Sequence, residues 1–134
     1  MIKRKEILAY VKKKYGAEPD FPWGEDSNYA VLRHNENRKW FGLVFDITED
    51  KLGLVGDKLI DALNVKCDPF LIRELRNEPG IFPAYHMNKE HWITVVLDGS
   101  CPKERVFGLI DISYDLAKPK KGDLKNGKEN KTTQ

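Results

Sequence analysis

Residues 83–100, PAYHMNKEHWITVVLDGS, decide the fold, because a strand-like run closes there on a polar tip and then on a turn. His91, Ile93, Val95 and Leu97 alternate with Trp92, Thr94 and Val96, the period of a strand with two distinct faces. With Ile81 to Met87 before it, the run predicts a hairpin of strands 81–87 and 91–97, ended by the turn pair Asp98-Gly99. The tip carries two His, a Lys and a Trp, yet it holds no nucleophile with a base, no complete metal shell and no phosphate-cradling loop. No cofactor follows from it.

Upstream of the hairpin, Asp68-Pro69 marks a helix start: an Asp side chain can accept from first-turn amides, and Pro at the first position gives up an amide that lacks a partner anyway. That helix should run to about Arg76, where Asn77, Pro79 and Gly80 end it. The segment before it, LGLVGDKLIDALNVKC, fits both a helical stripe and alternation, and a strand near 60–67 is the favoured reading. Residues 29–34 and 39–47 read as two strands joined by Asn35-Glu36-Asn37. A charged turn, Thr48 to Lys51, follows them. Ile7, Leu8, Val11 and Tyr15 give residues 3–15 an amphipathic helical pattern that Gly16 stops. The loop AEPDFPWGEDSN comes next, with Phe21 and Trp23 expected to fold back onto the core. A last helix from Pro102 places Val106, Leu109, Ile110, Ser113 and Ala117 on one face. The order α-β-β-β-α-β-β-α implies an α+β domain over residues 1–117, an antiparallel sheet with helices packed mainly on one face.

A chain of 134 residues, 40% hydrophobic and 33% charged, is one soluble globular domain by size and composition. No apolar run approaches the roughly 18 residues of a membrane span, and the basic start lacks the apolar region of a secretory signal. A cytoplasmic location is the expectation, with no membrane partner. Cys67 and Cys101 form no pair motif and read as free thiols filling space. The net charge of +2 is uneven: residues 118–134 hold six Lys against Asp123 and Glu129, leaving residues 1–117 at −2. Beyond Lys118-Pro119 only Leu124 is apolar, so a flexible Lys-rich tail is expected. A body of slightly negative balance can bind nucleic acid only through a local basic patch.

The segments NYAVLRHNENRKWFGLVFDI (28–47), NVKCDP (64–69), PAYHMNKEHWITVVLDGS (83–100) and DISYDL (111–116) closely resemble the YjbR family, also called MmcQ-like. The resemblance spans nearly all of residues 1–117 and leaves the tail outside. It implies a frataxin-like α+β fold and a general label of DNA binding, which derives from likeness to a double-wing arrangement. Fold analogy alone is a thin basis for function.

Three readings fit the tip residues His86, Asn88, Lys89, His91 and Trp92. In the structural one, His91 is in phase with Ile93, Val95 and Leu97, a ring bonds backbone at the core margin, and Trp92 shields the other face. As a nucleic-acid wing, Lys89 meets a phosphate, His and Asn donate hydrogen bonds, and Trp92 packs on sugar or base. As a metal site, His86 and His91 need further ligands that no obvious spacing supplies. A second patch, Arg33, His34, Arg38 and Lys39, surrounds the first hairpin turn, opposed only by Glu36. Two basic tips would suit a pair of wings, and the Lys- and Arg-rich first helix could extend the surface. The reading is a non-enzymatic DNA-binding protein using both tips, the alternative being a protein-interaction or small-ligand module. The oligomeric state is not legible.

Overall fold

The computed structural model describes residues 2–119. The expectation of a flexible tail therefore falls, from residue 120 onward, outside the described residues. Helix α1 spans Arg4–Tyr15, followed by strands β1 (Ala30–Arg33) and β2 (Trp40–Thr48), a single 3-10 turn at Glu49–Leu52 and β3 (Leu59–Lys66). Helix α2 (Pro69–Leu75), strands β4 (Ile81–Pro83) and β5 (Trp92–Val96) and helix α3 (Lys103–Ala117) complete the described chain. All strand pairs are antiparallel, in the order β1-β2-β3-β5-β4. The domain is α+β, with the predicted element order.

One face of the sheet receives the helices. Ile7 and Val11 of α1, Ile72 and Leu75 of α2, and Val106, Leu109 and Ile110 of α3 are buried with Leu32, Val44, Leu63, Val65, Ile93 and Val95 in one cluster. The apolar stripes read from the sequence are the buried ones, which is what an amphipathic helix on a sheet requires. Gly16 ends α1 in the left-handed region, at φ 67°, and its N–H donates to the Lys12 carbonyl at 2.9 Å. Asp68 caps α2 by accepting from the Phe70 N–H at 2.8 Å, and Pro69 takes the first helical position.

Helices α1 and α3 run side by side in the same direction. Lys103 Nζ donates to Glu6 at 3.0 Å, Tyr10 stacks on Phe107 with centroids 4.0 Å apart, and Tyr15 stacks on Tyr114 at 3.7 Å. Asp111 joins the two helices by accepting from Tyr10 (2.8 Å), Tyr15 (2.5 Å) and Lys14 (2.9 Å). Burial pushes the Asp111 carboxyl up, but these three donors outweigh it and hold the group below its ordinary value.

Among the described residues no helix covers the other face. Val31, Leu43, Phe45, Ile47 and Ala62 form a second buried cluster there, roofed by Tyr29, Trp40, Leu52, Ile60 and Tyr85. Trp40 reaches this face because β2 carries a bulge: Leu32 pairs with Gly42 and Arg33 with Trp40, so Phe41 has no partner on β1. The extra residue reverses the phase, and Phe41 enters the helix-side core while Trp40 turns to the open side. Gly42 beside it packs against Leu32, where a Cβ would lie 2.8 Å from Cδ1.

Strand β4 is shorter than the 81–87 expected. It ends at Pro83; beyond it the Tyr85 N–H donates to the Thr94 side chain, Oγ1 at 2.9 Å, and His86 turns the chain away with a left-handed φ of 64°. Cys67 and Cys101 are buried free thiols, each pushed up by that burial, which agrees with their reading as space-filling residues. No helix among the described residues is long and apolar enough to cross a membrane.

Candidate functional site

Both hairpin turns leave the same end of the sheet. Gly42 of β2 pairs with Val65 of β3, which pairs with Ile93 of β5, so the starts of β2 and β5 lie level with each other on either side of the end of β3. Two interstrand steps, about 10 Å, separate their roots. The end of β3 also leads into α2, which brings that helix to the same end.

The first turn is fixed from below. Asn35 donates its amide to the carbonyls of Tyr15 (3.2 Å) and Gly16 (3.4 Å), and Asn37 donates to the Ala117 carbonyl at 2.9 Å. The joint read as a simple hairpin turn thus clamps the C-terminal ends of α1 and α3 together. His34 does not belong to the surface patch. It is 2% exposed, its ring stacks on Tyr114 at 4.3 Å, and its Nδ1 accepts from the Glu36 N–H at 3.3 Å. Its Nε2 has no hydrogen-bond partner among the described residues, and burial lowers the imidazole from its ordinary value. Arg33 is also engaged: its Nε donates to Asp20 at 2.9 Å, and its guanidinium lies 5.6 Å from the Trp40 ring centroid. Arg38 and Lys39 are the exposed cations of this turn. Arg38 stands at φ 63°, which turns the chain back into β2.

A buried polar network holds the second turn, and the sequence reading missed it. Asn64 is fully buried; its Nδ2 donates to the Tyr85 carbonyl at 2.9 Å, and its Oδ1 accepts from Thr94 Oγ1 at 2.5 Å. With the Tyr85 N–H on Thr94, both main-chain groups of Tyr85 are satisfied by side chains of the sheet's open face. Asn88 Oδ1 then accepts from the Glu90 N–H at 2.7 Å, closing the turn on itself.

His86, Lys89 and His91 are exposed, and Trp92 is half-buried. The expected core-margin role of the His91 ring is corrected: β5 starts one residue later, and it is the His91 carbonyl that accepts from the Cys67 N–H at 2.8 Å. His86 lies against Tyr85, with centroids 3.9 Å apart. Among the described residues no three His, Cys, Asp or Glu side chains are grouped to hold a metal ion.

Beside the second turn an open cleft of about 550 Å³ is lined by Pro69, Ile72, Arg73, Arg76, Asn77, Lys89 and Glu90. A smaller one on the other side of Lys89 is lined by Lys51, Leu52, Phe82 and Tyr85 among others. Neither contains His86 or His91, so the two imidazoles share no lining here.

Among known proteins, the model of the YjbR family matches residues 12–116. The chain is 48% identical over 118 residues to the uncharacterized protein YyaQ of Bacillus subtilis, covering 88% of this chain and all of that one. It is 31% identical to the uncharacterized protein YjbR of Escherichia coli K12, covering 84% of each. A crystal structure of a Pseudomonas syringae protein superposes with a TM-score of 0.84 at 45% identity, covering 87% of this chain and 100% of that one. The crystal structure of Deinococcus radiodurans protein DR2400 gives 0.67 at 29% identity, covering 93% and 85%.

Proposed function

The chain belongs to the YjbR family, and from that premise we propose that it is a non-enzymatic, cytoplasmic DNA-binding protein whose two hairpin turns meet the phosphate backbone. The observation that carries this reading is the emergence of both turns, with the cations Arg38, Lys39 and Lys89, at one end of the sheet. Among the described residues none of the three has a carboxylate partner, whereas Arg4, Arg33 and Arg105 each have one. Cations kept free of internal partners can release counterions from a polyanion, the term that dominates DNA affinity.

The roots of the turns are about 10 Å apart, comparable with the roughly 12 Å width of the major groove. Arg33 and His34 leave the contact set for the reasons given, and Arg33 instead braces the root of the first turn. The Lys-rich segment from Lys118 starts beside that turn, since Ala117 is held by Asn37.

The test is binding of a labelled duplex followed by anisotropy over about 20–200 mM salt. Affinity should fall steeply with salt, and replacing Arg38, Lys39 and Lys89 with Gln should lower the slope of log K against log salt by about 3. Deleting 118–134 should lower it further. Absence of binding to any duplex at the lowest salt refutes the proposal.

A further inference from the structure

Arg73, Arg76 and Lys89 converge on the cleft between α2 and the second turn without a carboxylate partner among the described residues. Arg73 lies in the last turn of α2 and Arg76, three positions on, caps it in helical conformation, so both guanidinium groups share one flank, and Lys89 faces them from the turn. Glu90 is the one carboxylate in the lining; Glu74 lies on another flank, with Leu71, Leu75 and Glu78. The lining therefore keeps two net positive charges. Two planar forks and one ammonium around a small volume suit a tetrahedral anion that offers three oxygens better than a carboxylate, which offers two.

A second observation narrows the ligand. Phe70 is 90% exposed and contributes nothing to either core cluster. It follows Pro69 and stands three positions before Arg73, both of which line the cleft, while Phe70 itself lies on the adjoining flank of α2 outside that lining. An aromatic ring left in water beside a cationic cleft offers a stacking face to a planar base.

We propose that this cleft is a discrete site for the monoester phosphate of a nucleotide, with Arg73, Arg76 and Lys89 around the phosphate and Phe70 under the base. The phosphate has two possible sources, a free nucleoside monophosphate or the 5′-phosphorylated end of a strand, and the chemistry of recognition is the same.

Titration of the full-length 15N-labelled protein with adenosine monophosphate, inorganic phosphate and adenosine, at low ionic strength, tests it. The monophosphate should give saturable amide shifts confined to residues 69–77 and 88–91, with inorganic phosphate weaker and adenosine without effect. Replacing both arginines (R73Q/R76Q) should weaken the monophosphate at least about tenfold, and Phe70→Ala should reduce it to the level of inorganic phosphate. Both changes lie on exposed positions, so an unchanged spectrum elsewhere certifies the fold. A short 5′-phosphorylated strand binding more tightly than both its 5′-hydroxyl form and the monophosphate assigns the site to strand ends; equal binding of the phosphorylated strand and the monophosphate assigns it to the free nucleotide. No saturable shift with either phosphate by about 10 mM, or shifts indifferent to R73Q/R76Q, overturns the proposal. Loss of duplex binding with these shifts intact would overturn the preceding proposal and leave this one standing.

Discussion

Replacing Asn64 with Leu removes the side chain on which the second turn hangs while keeping its approximate volume. The change leaves the part-buried Tyr85 carbonyl and the fully buried Thr94 hydroxyl proton without these partners. An unsatisfied buried polar group costs about 1–3 kcal/mol, so the pair should cost roughly 2–6 kcal/mol. For a domain of this size 1 kcal/mol corresponds to roughly 3–5 °C in melting temperature, so the midpoint should drop by on the order of 10 °C. The loss should also be local. The Tyr85 amide, donated to Thr94, should exchange with solvent faster than the amides of β3 and β5, which hydrogen exchange reads residue by residue. Thr94→Ser keeps the hydroxyl and should cost no more than about 1.5 kcal/mol. A melting point within about 3 °C of the parent, together with unchanged protection at Tyr85, would refute the claim that Asn64 carries the turn.

Two further outcomes follow from the core. The lowered pKa of His34 means that the unfolded chain takes up a proton first as pH falls, so stability is complete above the ordinary value near 6.5 and declines below it toward the folded value. Denaturant melts of the parent and of His34→Phe between about pH 7.5 and 5 should show a steeper acid loss in the parent. Gly42→Ala should destabilise by about 1–3 kcal/mol, since its Cβ meets Leu32 inside a closed core; an unchanged denaturation midpoint would argue against that packing.

The helices and the central strands were legible because their periods are clean. Val106, Leu109, Ile110, Ser113 and Ala117 stand at helical spacing, and all five are buried. The ambiguous segment resolves into β3 because Leu63 and Val65 enter the helix-side core while Ile60, Ala62 and Asn64 face the other side. Asn64 and Thr94 were missed because a polar residue in an alternating strand reads as solvent-facing. Here the residue opposite it is polar too, and a loop seals the pair. The end of β4 was overestimated because His86 turns the chain out of the strand at φ 64°, which alternation does not register. At the first turn, Arg33 and His34 looked like surface cations by composition. Their partners, Asp20 and Tyr114, are 13 and 80 positions away in the chain, beyond any local pattern. The adjacent aromatic pair Trp40-Phe41 was the available signal for the bulge, because two large apolar neighbours cannot share one face of a regular strand.

The clamp of Asn35 and Asn37 on α1 and α3 has an electrostatic consequence. Parallel helices align their peptide dipoles, so both negative poles, each equivalent to roughly half an elementary charge, arrive at the end of the molecule from which the hairpin turns emerge. The two carboxamides occupy the terminal carbonyls, and Lys12, Lys13 and Lys14 in the last turn of α1 set whole positive charges against its pole. Under the proposed DNA-binding reading, that basic last turn joins Arg38 and Lys39 at one end of the molecule, so a polyanion would meet charge from the helix layer as well as from the turns.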